Sequence, residues 1–278
     1  MQKKTKETMN KILLINDMAG YGKVATAAML PILSYYGLSV YNLPTAQVSN
    51  TLDYGKFSIM ETTDYMEGVL PVWKDLGFKF DAIATGFIVS HRQADMVTKY
   101  CKEQAALGTR IYVDPIMGDE GKLYNGVDDS RIAVMREMIS VADITFPNYT
   151  EAAYLTGHTY KVEGCSEEEA VEMLDGLVKI GAKSALITSM RINGKDCVIG
   201  YNHENGERFV LTFDYVDAHF PGTGDTFSAV LIGRLAKGDN LKVSTQKAMD
   251  AIRQMVLVGK NDADKNKGLP IEKCLYML

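Results

Sequence analysis

Short apolar runs alternate with amphipathic helical stretches along most of this 278-residue chain. The runs are rich in branched residues and too short for buried helices, so each one predicts a strand. They cover residues 12–15, 38–43, 81–84, 111–113, 143–145 and 185–188, and helical spacing follows at 25–36, 60–76, 91–107, 131–140 and 166–177. Repeated strand–helix units predict an α/β fold with a mainly parallel central sheet and helices on both faces.

The pattern changes near the end of the chain. Residues 197–201 and 208–213 read as paired strands, with Asn205-Gly206 in the turn between them. This predicts an antiparallel hairpin at one edge of the sheet. Helices are expected at 225–236 and 246–258. We predict one domain over residues 1–278, with a flexible tail at 1–10 and a small flap at 48–65.

Composition and charge exclude several classes of protein for this chain. The net charge is −5, whereas a nucleic-acid surface needs a basic face. The four cysteines lie far apart with no CxxC pair, which disfavours a zinc site and favours reduced thiols in the cytoplasm. The apolar run at residues 12–15 is too short for a signal peptide or a membrane span. We therefore expect a cytoplasmic protein without nucleic-acid or membrane partners.

The strongest chemical signal is Gly222-Thr223-Gly224-Asp225, directly before an amphipathic helix. Two glycines allow a tight turn whose N–H groups point outward, and the helix N-terminus adds positive potential. Such an anion hole suits a phosphoryl group in transfer, and Asp225 could accept the proton of an attacking alcohol. The alternative interpretation is a glycine turn with an acidic helix cap.

The residues around this turn, 216–226, resemble the C-terminal signature of the ribokinase superfamily, and especially that of pyridoxal kinases. Other family motifs follow in the same order along the chain. They are Thr45-Ala46-Gln47-Val48-Ser49-Asn50, Gly86-Phe87, Asp114-Pro115-Ile116-Met117-Gly118-Asp119, Tyr124, Pro147-Asn148-Tyr149-Thr150-Glu151 and Thr188-Ser189. The resemblance implies a ribokinase-like fold and an ATP-dependent kinase with Asp225 as its catalytic base.

The resemblance also implies roles for the other motif residues. Those expected to contact ATP are Asp114, Tyr124, Asn148, Thr188 and Ser189. Asp119 and Glu151 are carboxylates on loops after strands, where they could organise Mg²⁺ through water. Structural alternatives exist for two of these acids: an Asx turn before Pro115 for Asp114, and a helix-start carboxylate for Glu151.

One departure from the family concerns a monovalent cation. The family usually has threonine immediately before the Pro-Asn pair, where it helps to bind this ion. Here Phe146 stands in that place and Thr145 lies one residue earlier. A phenyl ring offers no oxygen ligand, so dependence on potassium or sodium is in doubt.

The loop after the first strand, residues 16–22, excludes two other nucleotide-binding folds. Gly20-x-Gly22-x-x-Ala25 imitates a dinucleotide fingerprint, but no Asp or Glu occurs between residues 18 and 52 to hold a ribose. The P-loop pattern is also absent. The loop instead resembles the DxSGGAG segment of hydroxymethylpyrimidine kinases, which places Asp17, or Asn16 if the alignment shifts by one residue, at the acceptor substrate. The alternative for Asp17 is a helix cap.

The flap carries a second departure. Where pyridoxal kinases have SNHTGYG, this chain has Thr51 for the histidine and Leu52 for the threonine. Val48, Thr51 and Phe87 are the further residues expected at the substrate, and the Phe87 ring suits a flat heterocycle. The acceptor stays open between pyridoxal, pyridoxine, pyridoxamine and hydroxymethylpyrimidine, and the TxQxSN segment favours the vitamin B6 compounds. A non-catalytic vitamer-binding protein is the third hypothesis. The family resemblance also suggests a homodimer.

Overall fold

The computed structural model describes residues 9–124 and 129–278. The strands are β1 (Lys11–Tyr21), β2 (Ser39–Asn50), β3 (Ile59–Glu61), β4 (Ala82–Thr85), β5 (Arg110–Val113), β6 (Gly118–Asp119), β7 (Lys122–Leu123), β8 (Ile144–Thr145), β9 (Ser184–Ile192), β10 (Lys195–Asn202) and β11 (Glu207–Thr212). The helices are α1 (Ala25–Tyr35), α2 (Thr63–Asp75), α3 (His91–Ala106), α4 (Asp129–Ile139), α5 (Tyr149–Thr156), α6 (Glu167–Ile180), α7 (Thr223–Ala236), α8 (Leu241–Gly259) and α9 (Ile271–Cys274).

Nine of these strands form one sheet in the order β11-β10-β9-β8-β5-β4-β1-β2-β3. The six strands from β9 to β2 in this order are parallel to one another. The hairpin β10–β11 adds two antiparallel strands at one edge, and β3 adds a third at the other. The predicted mainly parallel sheet with an antiparallel edge hairpin is confirmed.

Side chains alternate between the two faces of the sheet, as strand geometry requires. In β1, Leu13 and Ile15 pack with residues of α2 to α6, whereas Ile12 and Leu14 pack with α1, α7, α8 and α9. Each face is therefore buried by its own layer of helices, which confirms the predicted helices on both faces.

Several predicted boundaries were wrong because pairing extends the strands. β1 continues to Tyr21 and β2 to Asn50, since the two strands stay paired past a bulge between Asn16 and Met18. Helix α1 runs through Pro31 without interruption. Helix α8 begins five residues before the predicted Gln246, where the Asn240 side chain accepts a hydrogen bond from the Val243 N–H.

The predicted flap forms an edge structure around a short 3₁₀ turn, Leu52–Tyr54. After that turn, β3 pairs antiparallel with β2, so residues 59–61 are a strand and not the start of a helix. Two contacts tie the turn to the α8–α9 connection. The Thr51 hydroxyl donates to the Asn266 carbonyl at 2.5 Å, and the Tyr54 hydroxyl donates to the Asp264 carboxylate at 2.6 Å.

Two residues of the predicted tail belong to the folded part. Met9 is buried, and the Asn10 N–H donates to the Asp81 carboxylate at 2.8 Å. The rest of that tail, residues 1–8, lies outside the described part of the chain. All four cysteines are buried free thiols. Among the helices of residues 9–124 and 129–278, none is long and apolar enough to cross a membrane.

Candidate active site

The site lies where the parallel strands end at their carboxyl edge. β4 ends at Thr85 beside Ile15 of β1, and the next strand, β5, ends at Val113 beside Thr85. Asn16 and Asp17 continue β1 beyond this point, and Asp114 follows β5 directly. Polar residues that are distant in sequence therefore meet above the end of the sheet, where open α/β sheets bind their ligands.

The predicted anion-hole turn begins helix α7. Gly222 precedes the helix with a left-handed φ of 78°, and a Cβ atom there would lie 2.2 Å from the Lys23 carbonyl oxygen. Only glycine fits this position without displacing the chain. Thr223 and Gly224 follow in the first turn, where the helix dipole favours a negative group.

Asp225 is the third residue of α7 and faces the carboxyl edge of the sheet. Its Oδ1 lies 3.5 Å from the Asn16 amide nitrogen, and the Ala25 N–H also donates to this carboxylate. Burial raises the pKa of Asp225, and these two donors oppose that rise. The donors thus favour the ionised form that a proton acceptor needs.

Asn16 is the polar centre that connects three parts of the site. It is 1% exposed, and its Oδ1 accepts hydrogen bonds from the Asp17 N–H at 3.0 Å and the Phe87 N–H at 2.7 Å. A Cβ atom on Gly86 would lie 2.4 Å from the Asn16 amide carbon, so Gly86 leaves the space that this side chain fills. The sequence named Asn16 only as an alternative for substrate contact, but the structure turns it towards Asp225.

Asp17 is buried next to Asp225. Burial first, and then the negative charge of Asp225, raise the pKa of Asp17 to about 7 from an ordinary value of 3.8. Two nearby carboxyl groups therefore have different surroundings, with the Asn16 amide directed to only one of them. Such pairs are typical of active sites.

Asp114 adds a third acid to the same edge. It is half-buried, and its Oδ2 accepts a hydrogen bond from the Ser228 hydroxyl at 3.1 Å. Burial and the charges of Glu151 and Asp225 raise the pKa of Asp114. Ser228 was not predicted from the sequence; it lies one helical turn after Gly224 and also donates to the Gly224 carbonyl.

Asn148 and Glu151 form a capping box at the start of α5. The Glu151 carboxylate is buried and accepts backbone hydrogen bonds from Met117 and Asn148, each at 2.9 Å. The Asn148 amide donates to the Gly118 carbonyl at 2.8 Å. Glu151 therefore lies in the first turn of a helix, which confirms the alternative interpretation given above, and not on a loop, and it links α5 to the chain that follows β5.

The remaining nucleotide-side residues lie nearby. Asp119 belongs to the β6–β7 hairpin and is exposed, and the Tyr124 side chain is 46% exposed just after that hairpin. Thr188 lies in β9 beside Asn148, and its N–H donates to the Pro147 carbonyl at 2.9 Å. Ser189 has a φ of 53°, a left-handed backbone that is costly for a residue other than glycine and recurs at functional sites.

The residues predicted to contact the acceptor substrate differ in their exposure and in their hydrogen bonds. Phe87 is half-buried and its backbone is fixed at both ends, by Asn16 and by the Thr45 hydroxyl, which donates to its carbonyl at 2.7 Å. Val48 is buried between β1 and β3. Thr51 is 2% exposed with its hydroxyl bonded to Asn266, so it anchors the flap in this structure.

Two observations concern cations. Phe146 is 3% exposed and lines the small pocket that also contains Asp114 and Asp225, while the neighbouring Thr145 hydroxyl donates to the Val113 carbonyl. Within residues 9–124 and 129–278, no group of three His, Cys, Asp or Glu side chains could hold a metal ion by itself. Carboxylate oxygens such as those of Asp119 are nevertheless the ligands that Mg²⁺ takes in small numbers, with water completing its shell.

The parallel sheet, the glycine turn at a helix N-terminus and the acid behind that turn together define a ribokinase-like kinase. Comparison with known proteins makes the assignment narrower. The family model of phosphomethylpyrimidine kinase matches residues 25–269. Pyridoxal kinase of Ovis aries is 30% identical over 88% of this chain and 84% of its own length. Pyridoxal kinase of Arabidopsis thaliana is 31% identical over 86% of this chain and 81% of its own length. The chain therefore belongs to the phosphomethylpyrimidine kinase family and, within it, to the pyridoxal kinases.

Solved structures agree with this assignment. A Bacteroides thetaiotaomicron protein described as a phosphomethylpyrimidine kinase, crystallised with pyridoxal, superposes with a TM-score of 0.91 at 36% identity, over 97% of this chain and 95% of its own. Pyridoxal kinase of Lactobacillus plantarum superposes with a TM-score of 0.87 at 28% identity, over 96% of each chain. The predicted ribokinase-like fold is confirmed.

Proposed function

We propose that this protein transfers the γ-phosphoryl group of ATP to the hydroxymethyl group of a vitamin B6 compound. The products are the 5′-phosphate and ADP. The acceptor is pyridoxal, pyridoxine or pyridoxamine. The relatives named pyridoxal kinase and the related structure with pyridoxal support this choice of acceptor.

One observation carries the proposal: Asp225 lies in the first turn of α7, three residues after Gly222, with hydrogen-bond donors from Asn16 and Ala25. A carboxylate kept ionised beside a helix N-terminus can take the proton of a primary alcohol. The N–H groups of Gly222, Thr223 and Gly224 then face the phosphoryl oxygens, whose negative charge the helix dipole stabilises.

The nucleotide is assigned to the strand ends on the β9 side of Asp225. Asp114, Tyr124, Asn148, Thr188 and Ser189 are the proposed ATP contacts. The exposed Asp119 carboxylate fits a ligand of Mg²⁺, and the buried Glu151 contributes negative charge because its oxygens are occupied by backbone donors. When bound, Mg²⁺ neutralises charge on the phosphates. Phe146 gives no support for a monovalent cation at its position.

The acceptor is assigned to the opposite side, beneath the flap. Asp17 supplies a polar contact to the ring, Phe87 an aromatic face, and Val48 and Thr51 the wall below the flap. Because burial and Asp225 raise the pKa of Asp17 to about 7, this group can donate or accept a hydrogen bond near neutral pH.

We also propose a cytoplasmic homodimer joined through the sheet edge at β3. Every residue of β3 is exposed, and the large apolar side chains Leu52, Phe57, Ile59 and Met60 are 45% to 61% exposed around it. An uncovered apolar edge strand readily pairs with a second copy.

The test is ADP release from Mg-ATP with the three vitamers and hydroxymethylpyrimidine as acceptors. Replacing Asp225 with Ala removes the base and is expected to lower kcat by roughly 10²- to 10⁴-fold. A loss below about threefold would exclude Asp225 as the base. Hydroxymethylpyrimidine kinase activity, the alternative left open by the sequence, is not favoured by the comparisons. Binding of vitamers without ADP release would instead support a non-catalytic protein.

A further inference from the structure

Asn16 stands where β1 extends past β4. The residues around it come from three elements: Asp17 from β1, Phe87 from the segment after β4, and Asp225 from α7. Its carbonyl oxygen accepts two backbone N–H groups, which fixes the orientation of the side-chain amide. The amide nitrogen is then left directed at Asp225, with the Met29 sulfur at 3.8 Å beside it.

The surroundings of Asp225 are otherwise acidic. The titratable groups that face it are Asp17 from β1, Asp114 from the end of β5 and Tyr124 after β7. Each carboxylate nearby makes ionisation of Asp225 less favourable. The Ala25 N–H, the Asn16 amide and the N–H of Asp225 itself are donors that lower the pKa of Asp225, and Asn16 is the one side chain among these three.

We propose that Asn16 is a positioning residue for the phosphoryl transfer, because its amide holds the Asp225 carboxylate towards the acceptor and keeps it ionised. The proposal rests on the proposed function of Asp225 as the base. The separation of 3.5 Å is long for a hydrogen bond, and contacts of this kind shorten when the substrate completes the site. A neutral amide acts here without adding a further titratable group.

The informative variant is Asn16→Asp. It keeps an oxygen for the Asp17 and Phe87 N–H groups, but it replaces the donor that faces Asp225 with a second oxygen. The matched control is Thr45→Val, which removes the hydroxyl bonded to the Phe87 carbonyl from the same part of the site without contact with Asp225.

The measurement is the pH dependence of kcat/KM for the preferred vitamer. The acid limb of the Asn16→Asp profile is expected to move about one pH unit or more upward, with about a tenfold or greater loss of rate at pH 7. The Thr45→Val profile should keep the position of the wild type. A parallel carbon NMR titration of the Asp225 carboxyl group, identified by its loss in Asp225→Asn, should show the same upward shift.

The proposal is overturned if Asn16→Asp leaves both the profile and the titration at the wild-type position. It is equally overturned if Thr45→Val moves them as far, because disturbed packing would then explain the change. Wild-type protein that phosphorylates no vitamer would contradict the proposed function, while the NMR titration would still decide whether Asn16 controls Asp225.

Discussion

At the scale of single residues, the neighbouring carboxyl groups of Asp225 and Asp17 differ in the hydrogen-bond donors that face them. Asp225 has the Asn16 amide and the Ala25 N–H, whereas the pKa of Asp17 is raised to about 7 by burial and by Asp225 itself. Asp17 therefore keeps a proton in the folded protein at pH values where the unfolded chain has lost it. This difference makes folding depend on pH.

The expected dependence has a definite sign. The pKa of Asp17 is about 7 in the folded protein, and its ordinary value is 3.8. The contribution of Asp17 to the free energy of unfolding is therefore largest below about pH 4 and falls as the pH rises to about 7. Because Asp17→Asn has no proton to lose at this position, up to about 4 kcal/mol of the pH-dependent loss of stability should be absent in this variant. Melting temperatures from pH 4.5 to 8.5 test this, with the exposed Asp95→Asn as control. Equal slopes for wild type and Asp17→Asn would contradict the assignment.

The glycine turn gives a second prediction at this scale. Gly222→Ala forces a Cβ atom to 2.2 Å from the Lys23 carbonyl at a left-handed φ, whereas a Cβ atom on Gly224 meets nothing within 4 Å. Gly222→Ala should cost roughly 1–3 kcal/mol of stability and most of the activity. Urea unfolding measures the difference, and Gly224→Ala is the matched control. Equal stability of the two variants would refute this account.

At the scale of elements, the flap is held by a few polar contacts between its 3₁₀ turn and the α8–α9 connection. Besides Thr51 and Tyr54, the Asn266 amide donates to the Asp53 carbonyl at 3.2 Å. Thr51 is buried, but the hydrogen bonds of Tyr54 and Asn266 are exposed, and each of these two contributes little to stability. Their effect on the closed position of the flap is therefore easier to detect than their effect on folding.

Tyr54→Phe removes the hydrogen bond to Asp264 and leaves the ring in place. If this change destabilises the closed position of the flap by about 1 kcal/mol, the population of the open position rises roughly fivefold. We expect faster tryptic cleavage after the exposed Lys56 and more ATP hydrolysis without acceptor, since a flap excludes water. Tyr65→Phe, at a 56% exposed tyrosine of α2, is the control. Unchanged cleavage and hydrolysis would show that the bond does not hold the flap.

At the scale of the whole molecule, the two edges of the sheet differ. The β10–β11 hairpin covers one side, and its outer strand β11 alternates buried Phe209 with exposed Val210. The other edge ends in the three exposed residues of β3. The apolar side chains gathered there favour a second copy as the partner.

Charges placed on that edge should prevent association. Ile59→Lys combined with Met60→Lys is expected to convert the proposed dimer to a monomer, because both side chains are exposed in one chain and their replacement costs the fold little. Light scattering after size-exclusion chromatography measures the mass. Val210→Lys on the opposite edge is the control. A wild-type monomer, or a double variant that stays dimeric, would exclude this interface.

Local patterns were sufficient for much of this fold. Apolar runs and helical spacing gave the strands and helices of the sheet and both covering layers, because burial on two faces leaves a strong periodic signal. Several short elements were not predicted. β3, β6, β7 and α5 have only 2 to 8 residues, so they depend on pairing partners and caps brought by tertiary contacts.

The sequence by itself determined the class of fold, the glycine turn before Asp225 and the order of the motifs that identify a kinase. It could not determine that Asn16 turns to Asp225 or that Ser228 meets Asp114. Those contacts join residues 209 and 114 positions apart in the chain. They exist only because parallel strands bring their carboxyl ends to one edge, where burial raises the pKa values of Asp17, Asp114 and Asp225.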